Sequence, residues 1–362
     1  MAEALKDLFN RENIGALATD ISSVSQLFQE ADFINTIFDQ DWEERSLKER
    51  EQHLTRTLGA FLSNSYPEAL QVLRQVGPRH EGFIATALSG FVSEYGLDAE
   101  FFDLSVTALK EFTKSCTSEF AVRPFIENYE EKMLALMLEW ASDECEHVRR
   151  LASEGCRPAL PWGKALVKYK QDPTPILPIL ERLKDDNSKY VQKSVANNLN
   201  DISKTHPDLI LELANKWLGT SNNTDWIVKH ALRTLLKSGH VEALKLFGYE
   251  DARSVTVTPV TVSKNRLTIG DCLTFSFEIQ SDVDTLARLE YAVDFVKANG
   301  KTSRKVFKIS ETKLMAGKEK SYEKRHGFKD LTTRKHYPGI HTITVLVNGI
   351  PRESESFELL RP

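Results

Sequence analysis

No apolar run in this chain approaches the roughly 20 residues needed to span a bilayer, so no membrane-crossing helix is expected. The opening Met1-Ala2-Glu3-Ala4-Leu5-Lys6-Asp7 carries acid early and lacks an apolar signal core, which argues against secretion. Cysteine is sparse. Cys116, Cys145, Cys156 and Cys272 are scattered without C-x-x-C spacing, and free thiols in a reducing cytoplasm fit them better than disulfides or zinc. There is no G-x-x-x-x-G-K-[ST] phosphate loop, no G-x-G-x-x-G turn and no H-E-x-x-H metal helix. The nine histidines show no metal-ligand spacing with the cysteines, so no metal and no cofactor is expected. Nor is there a surplus of positive charge: the net charge of −5 argues, taken alone, against a nucleic-acid ligand.

That total hides a gradient. Residues 1–140 carry −12, residues 141–250 carry +2 and residues 251–362 carry +5. The stretch 297–335 holds thirteen basic and four acidic residues, so a polyanion would meet the C-terminal part first. At 362 residues the chain is too long for one compact core, and two domains are expected, 1–250 and 251–362.

Residues 1–250 read as helices. Apolar residues recur at three- and four-residue spacing, as in Leu54, Leu58, Phe61, Leu62 and in Met133, Leu134, Leu136, Met137, Trp140. Short breaks fall at Gly77-Pro78, Gly96, Pro124, Pro158, Pro161, Pro173, Pro175, Pro207, Gly219 and Gly239, so neighbouring helices should pack antiparallel. A weak repeat aligns His147-Val148-Arg149-Arg150 with Tyr190-Val191-Gln192-Lys193 and with Trp226-Ile227-Val228-Lys229. The copies lie 43 and 36 residues apart, a period suited to HEAT-like helix pairs stacked as a solenoid. Stacking would line Arg150, Lys193 and Lys229 along one surface. The plainer alternative is that each cation pairs with an acid of the neighbouring repeat.

Near residue 250 the periodicity changes to two. Val255-Thr256-Val257-Thr258, Val260-Thr261-Val262 and Leu273–Ile279 alternate, with further strands expected at 289–296, 305–309, 341–347 and 355–359. About seven short strands without helix signals indicate an immunoglobulin-like sandwich. Its basic residues, among them Arg304, Lys305, Lys324 and Arg325, suit either a clamp on a polyanion or lysine protection of edge strands.

The most specific stretch is Ser118-Glu119-Phe120-Ala121-Val122-Arg123-Pro124-Phe125, followed by His147-Val148-Arg149-Arg150-Leu151-Ala152-Ser153-Glu154-Gly155-Cys156-Arg157-Pro158-Ala159-Leu160-Pro161-Trp162. Arg150 and Glu154 share a helix face, with Arg157 about a turn further on. Gly155 invites close approach by another backbone, and the two prolines stiffen the turn that carries Trp162. A solvated ion pair with a capping aromatic would also account for the block, and Glu119 could pair with Arg123 one helical turn away. This stretch resembles the AlkC family of bacterial alkylpurine DNA glycosylases, relatives of the AlkD-type HEAT-like repair enzymes. The sandwich resembles the extra domain of one AlkC branch.

The resemblance implies an α + β chain of separate domains, a HEAT-like superhelix followed by an immunoglobulin-like sandwich. It implies hydrolysis of the N-glycosidic bond of cationic alkylated bases in double-stranded DNA, 3-methyladenine and possibly 3-methylcytosine, without base flipping. Glu119 would be the catalytic carboxylate, supported by Glu154, and Trp162 would contact the lesion. Arg150, Arg157, Lys193, Lys229 and Arg123 would hold phosphates. AlkD-type enzymes carry a second tryptophan where this chain aligns Asn197 or Asn198, so a two-tryptophan cradle is not expected. A monomer in the bacterial cytoplasm, at the nucleoid when bound, completes the expectation. Two other readings remain: a non-enzymatic HEAT scaffold binding a protein in its groove, and a DNA-binding protein without chemistry.

Overall fold

A computed structural model describes residues 5–249, 252–331 and 334–361. The first four residues of the opening segment lie outside the described residues, as do residues 250 and 251, where the two expected domains meet. Close contacts divide the chain into two units. One holds residues 1–206 and 216–231; the other holds residues 207–215 and 232–362.

In the first unit the apolar spacing resolves into amphipathic helices. The helix Leu47–Phe61 starts at a capping box in which Ser46 and Glu49 satisfy each other's backbone donors, and it buries Leu54 and Leu58. The helix Glu130–Trp140 buries Met133, Met137 and Trp140, one face at i, i+4, i+7. Pro124 does not break a helix as expected. It sits in the first turn of Val122–Asn128, where a backbone donor has no intrahelical partner to lose. The three repeat copies lie on Glu146–Gly155, Lys189–Ile202 and Asn222–Ala231, and the middle helix packs against both others. This is the HEAT-like array the repeat period implied.

Gly155 departs from its expectation. An ideal Cβ there would lie 2.6 Å from Val122 Cγ2 and 3.3 Å from Met137 Cε. The close neighbours are side chains of the helices Val122–Asn128 and Glu130–Trp140, not another backbone.

Nine strands are present among the described residues of the second unit: β1 (Val255–Val257), β2 (Thr261–Val262), β3 (Arg266–Thr268), β4 (Cys272–Ser281), β5 (Thr285–Val296), β6 (Thr302–Leu314), β7 (Lys320–Gly327), β8 (Gly339–Val347) and β9 (Ile350–Leu360). One sheet has the order β1-β4-β2 with β7 on the other edge of β4; the second has the order β3-β9-β8-β5-β6. Alternate residues Leu273, Phe275, Phe277 and Ile279 of β4 enter a common core with Leu289, Tyr291, Val293, Phe295, Ile343, Val345 and Phe357 of the other sheet. The expectation of seven strands missed β3 and β7. In β7, Lys-Ser-Tyr-Glu-Lys-Arg-His-Gly, charge masks the period-two pattern.

The outward side of β5 is also buried. Arg288 bridges Glu290 at 2.7 Å and Glu311 at 3.0 Å, and Tyr249 lies beside this pair. The backbones at Gly239 and Gly349 come so close that a Cβ on Gly349 would lie 2.3 Å from Gly239 Cα. The helices Arg233–Lys237 and Val241–Leu246 thus belong to the same unit as the strands.

Candidate catalytic site

Glu119 lies in the turn before Val122–Asn128, where Thr117 Oγ1 donates to its Oε2 at 2.9 Å. Arg150, from the helix Glu146–Gly155, pairs with the same carboxylate oxygen and donates to Thr117 Oγ1 at 2.7 Å. Its other terminal nitrogen lies 3.5 Å from Glu154 Oε1, one helical turn on. A single guanidinium therefore bridges the two carboxylates singled out from sequence. The alternative partner for Glu119, Arg123, is engaged elsewhere.

Glu154 is held from two further directions. Arg157 donates to its Oε1 at 2.6 Å, Ser194 donates to its Oε2 at 2.6 Å, and the Ser194 hydroxyl lies 2.6 Å from that of Ser153. Arg157 continues to Asp201, with Nε and Nη2 at 3.0 and 2.9 Å from Oδ2, and Lys204 takes the other Asp201 oxygen at 3.0 Å. Burial works against the Arg157 charge, but Glu154 and Asp201 hold its pKa above the ordinary value. Glu119, Glu154 and Asp201 are all under one-tenth exposed. Three carboxylates facing Arg150, Arg157 and Lys204 leave the cluster balanced in charge.

Two family models and two known proteins match this chain. A model described as "DNA alkylation repair enzyme" matches residues 100–235, and one described as "Uncharacterised protein YhaZ, C-terminal Ig-like domain" matches residues 256–361. The chain is 50% identical over 355 residues to the "Uncharacterized protein YhaZ" of Bacillus subtilis (strain 168), covering 98% of this chain and 99% of that one. It is 38% identical to the solved Pseudomonas fluorescens alkylpurine DNA glycosylase AlkC bound to DNA containing an abasic site analog, with a TM-score of 0.94 over 99% of this chain and 100% of that one. The chain belongs to the AlkC family of DNA alkylation repair enzymes, in the branch with a C-terminal immunoglobulin-like domain.

In this AlkC-family chain Trp162 is 65% exposed. Its backbone is left-handed, at φ +62°, a strained conformation for a bulky residue. Lys193 is exposed and Lys229 half-buried.

Two arginines expected at phosphates are not available to them. The Arg123 guanidinium, 3% exposed, donates to the carbonyls of Lys164 (2.8 and 2.6 Å), Gly155 (2.8 Å) and Arg157 (3.0 Å). Burial without a carboxylate partner lowers its pKa. It ties the Trp162 turn to the helix Val122–Asn128. Arg157 is buried between Glu154 and Asp201 and positions them.

On the sandwich, Arg304 makes a two-point pair with Asp294 at 2.9 and 2.8 Å and remains partly exposed; Lys305 and Arg325 are exposed and Lys324 half-buried. All four lie on β6 or β7, each an edge strand of its sheet.

Sequence reasoning missed Asp201, Ser194 and Thr117. Asp201 stands eleven positions after Tyr190, on the face of Lys193 and Asn197, so extending the helical spacing by one turn would have found it. Nothing in the sequence marks the two hydroxyls.

Proposed function

We propose that this chain is a monomeric DNA glycosylase that hydrolyses the N-glycosidic bond of cationic alkylated bases in double-stranded DNA. 3-Methyladenine is the principal substrate and 3-methylcytosine a second. The reading rests on one observation: Glu119 and Glu154, buried and from separate segments, share the Arg150 guanidinium in a chain of the AlkC family.

An alkylated base is already positively charged, so it leaves with the electron pair of the C1′–N bond and becomes neutral. No acid is needed at the leaving group, unlike ordinary glycoside hydrolysis. The sugar gains oxocarbenium character, which a fixed carboxylate at C1′ stabilises. Water forms the new C1′–O bond, and its proton passes to the carboxylate and then to solvent. Glu119 takes this role. Glu154, fixed by Arg157 and Ser194, orients the water or the sugar.

Exposed Trp162 contacts the lesion nucleotide from its turn, which suits approach along the backbone without base flipping. Lys193, Lys229 and Arg150 take flanking phosphates. The 1–250 region carries this chemistry, while β6 and β7 of the sandwich close on the duplex. The site of action is the cytoplasmic nucleoid.

The test is release of free 3-methyladenine from methylated duplex DNA. Wild-type protein should release it, and Glu119→Gln should lose the release by at least about a hundredfold while still binding DNA. No release by wild-type protein would instead support the scaffold reading. Normal turnover by Glu119→Gln would remove that residue from the mechanism.

A further inference from the structure

Arg150 meets three oxygen-bearing side chains: it donates to Thr117 and forms ion pairs with Glu119 and Glu154. Hydrogen bonds restrain a guanidinium mainly within its own plane. A further contact comes from the next repeat. The Arg150 Cζ lies 4.9 Å from the ring centroid of Tyr190, close enough for a cation–π contact. The ring is itself steadied by His147, which meets it edge-on with centroids 5.7 Å apart. The Tyr190 position is fixed at the start of its helix, where the Ser188 side chain accepts from the Tyr190 backbone N–H at 3.2 Å. The next step of the array repeats the device: Lys189 Nζ stands 5.2 Å from the centroid of Trp226, which occupies the same repeat position as Tyr190. Only the first of these contacts reaches a residue that touches both candidate catalytic carboxylates.

We propose that Tyr190 is a positioning residue of the site: its ring holds the Arg150 guanidinium in the bridge between Glu119 and Glu154. The proposal rests on the glycosylase reading above. Arg150 fixes where the two carboxylates stand relative to each other. A flanking phosphate pulls on Arg150, and the ring keeps the guanidinium over the carboxylates instead of letting it swing into solvent. Small misplacements of reacting groups are costly, so loss of the ring acts on the chemical step. Tyr190 is 42% exposed, so its side chain carries little of the fold, and removing it leaves the protein folded. The contact is made by the ring face, so a phenylalanine ring in its place should hold the guanidinium as well.

The experiment compares Tyr190→Leu and Tyr190→Phe in single-turnover release of 3-methyladenine from methylated duplex DNA, with wild-type protein as control. Tyr190→Leu should slow the rate at saturating enzyme by about fivefold, with duplex affinity changed less than about twofold, while Tyr190→Phe restores the wild-type rate. In the same variants, the ¹⁵Nε–Hε resonance of Arg150 should broaden or shift in Tyr190→Leu and hold its place in Tyr190→Phe.

A wild-type rate in Tyr190→Leu, or an equal loss in both variants, overturns the proposal. Inactivity of the wild-type control overturns the glycosylase reading instead. In that event the Arg150 resonance still decides whether the ring holds the guanidinium.

Discussion

Arg123, Arg150 and Arg157 differ in what occupies them. Arg123 meets only carbonyl oxygens, Arg157 two buried carboxylates, and Arg150 two carboxylates, a hydroxyl and a ring. Arg123→Ala leaves three backbone carbonyls without their donors, and stability should fall by about 3 kcal/mol, read from the urea midpoint. Intrinsic DNA affinity should be unchanged in conditions where the variant is folded. A large loss of affinity with unchanged stability would return Arg123 to the phosphates. Trp162 invites the opposite experiment. Trp162→Gly relieves a left-handed backbone that costs a large residue about 1 kcal/mol, so the variant should melt higher than wild-type protein and release less base. A variant that melts lower would show that the indole, despite its exposure, packs on the protein.

At the scale of single elements, the three histidines at one end of the sandwich set its acid limit. His326 lies on β7 and His341 on β8, with His336 in the segment between. All are under one-tenth exposed and surround the rings of Phe295 and Phe328, with centroids 5.0 to 6.2 Å apart. Burial pushes His326 from its ordinary 6.5 down to about 4, reinforced by Arg334 and His336. Burial also lowers His336 and His341, although Asp330 opposes the effect at His336 and the Tyr337 carbonyl opposes it at His341. The folded sandwich therefore keeps these rings neutral, while the unfolded chain takes up protons near pH 6.5. Their contribution is complete above pH 6.5 and is lost as pH falls from there toward 4. Thermal melts between pH 7 and 5 should show the sandwich melting progressively lower. His326→Phe should flatten that dependence, and an equally steep fall in that variant would acquit His326.

The same elements show what sequence could and could not reveal. Periodicity found the helices, the change to strands and the repeat register, because each depends on local spacing. β7 escaped because Lys320 and Lys324 share its half-buried side with Tyr322. Inward-facing charges at a sheet edge discourage pairing with another chain, and they disguise the strand at the same time. Glu119 and Glu154 could be named from sequence. Helical spacing already pairs Arg150 with Glu154, but the Arg150–Glu119 and Arg157–Asp201 links join residues 31 and 44 positions apart, and spacing along one helix does not pair such residues.

At the scale of the molecule, charge rises along the chain, from −12 over residues 1–140 to +5 over residues 251–362, which motivates a test of the proposed clamp. Lys305→Gln combined with Arg325→Gln should lower the slope of log affinity against log salt by about two if both cations meet phosphates. If they only guard edges β6 and β7, the slope should stay and the variant should self-associate more readily in sedimentation. Cutting the chain near residue 250 is a poorer test, because residues 232–249 belong to the unit that holds the strands.

The touching glycines at 239 and 349 therefore matter for anyone recombining these proteins. A sandwich transplanted from its first strand onward would arrive with a bare groove where the last two short helices had lain. A working cassette begins upstream, inside what the helical pattern presents as one uninterrupted array. Natural fusions of this module should show their seams there too.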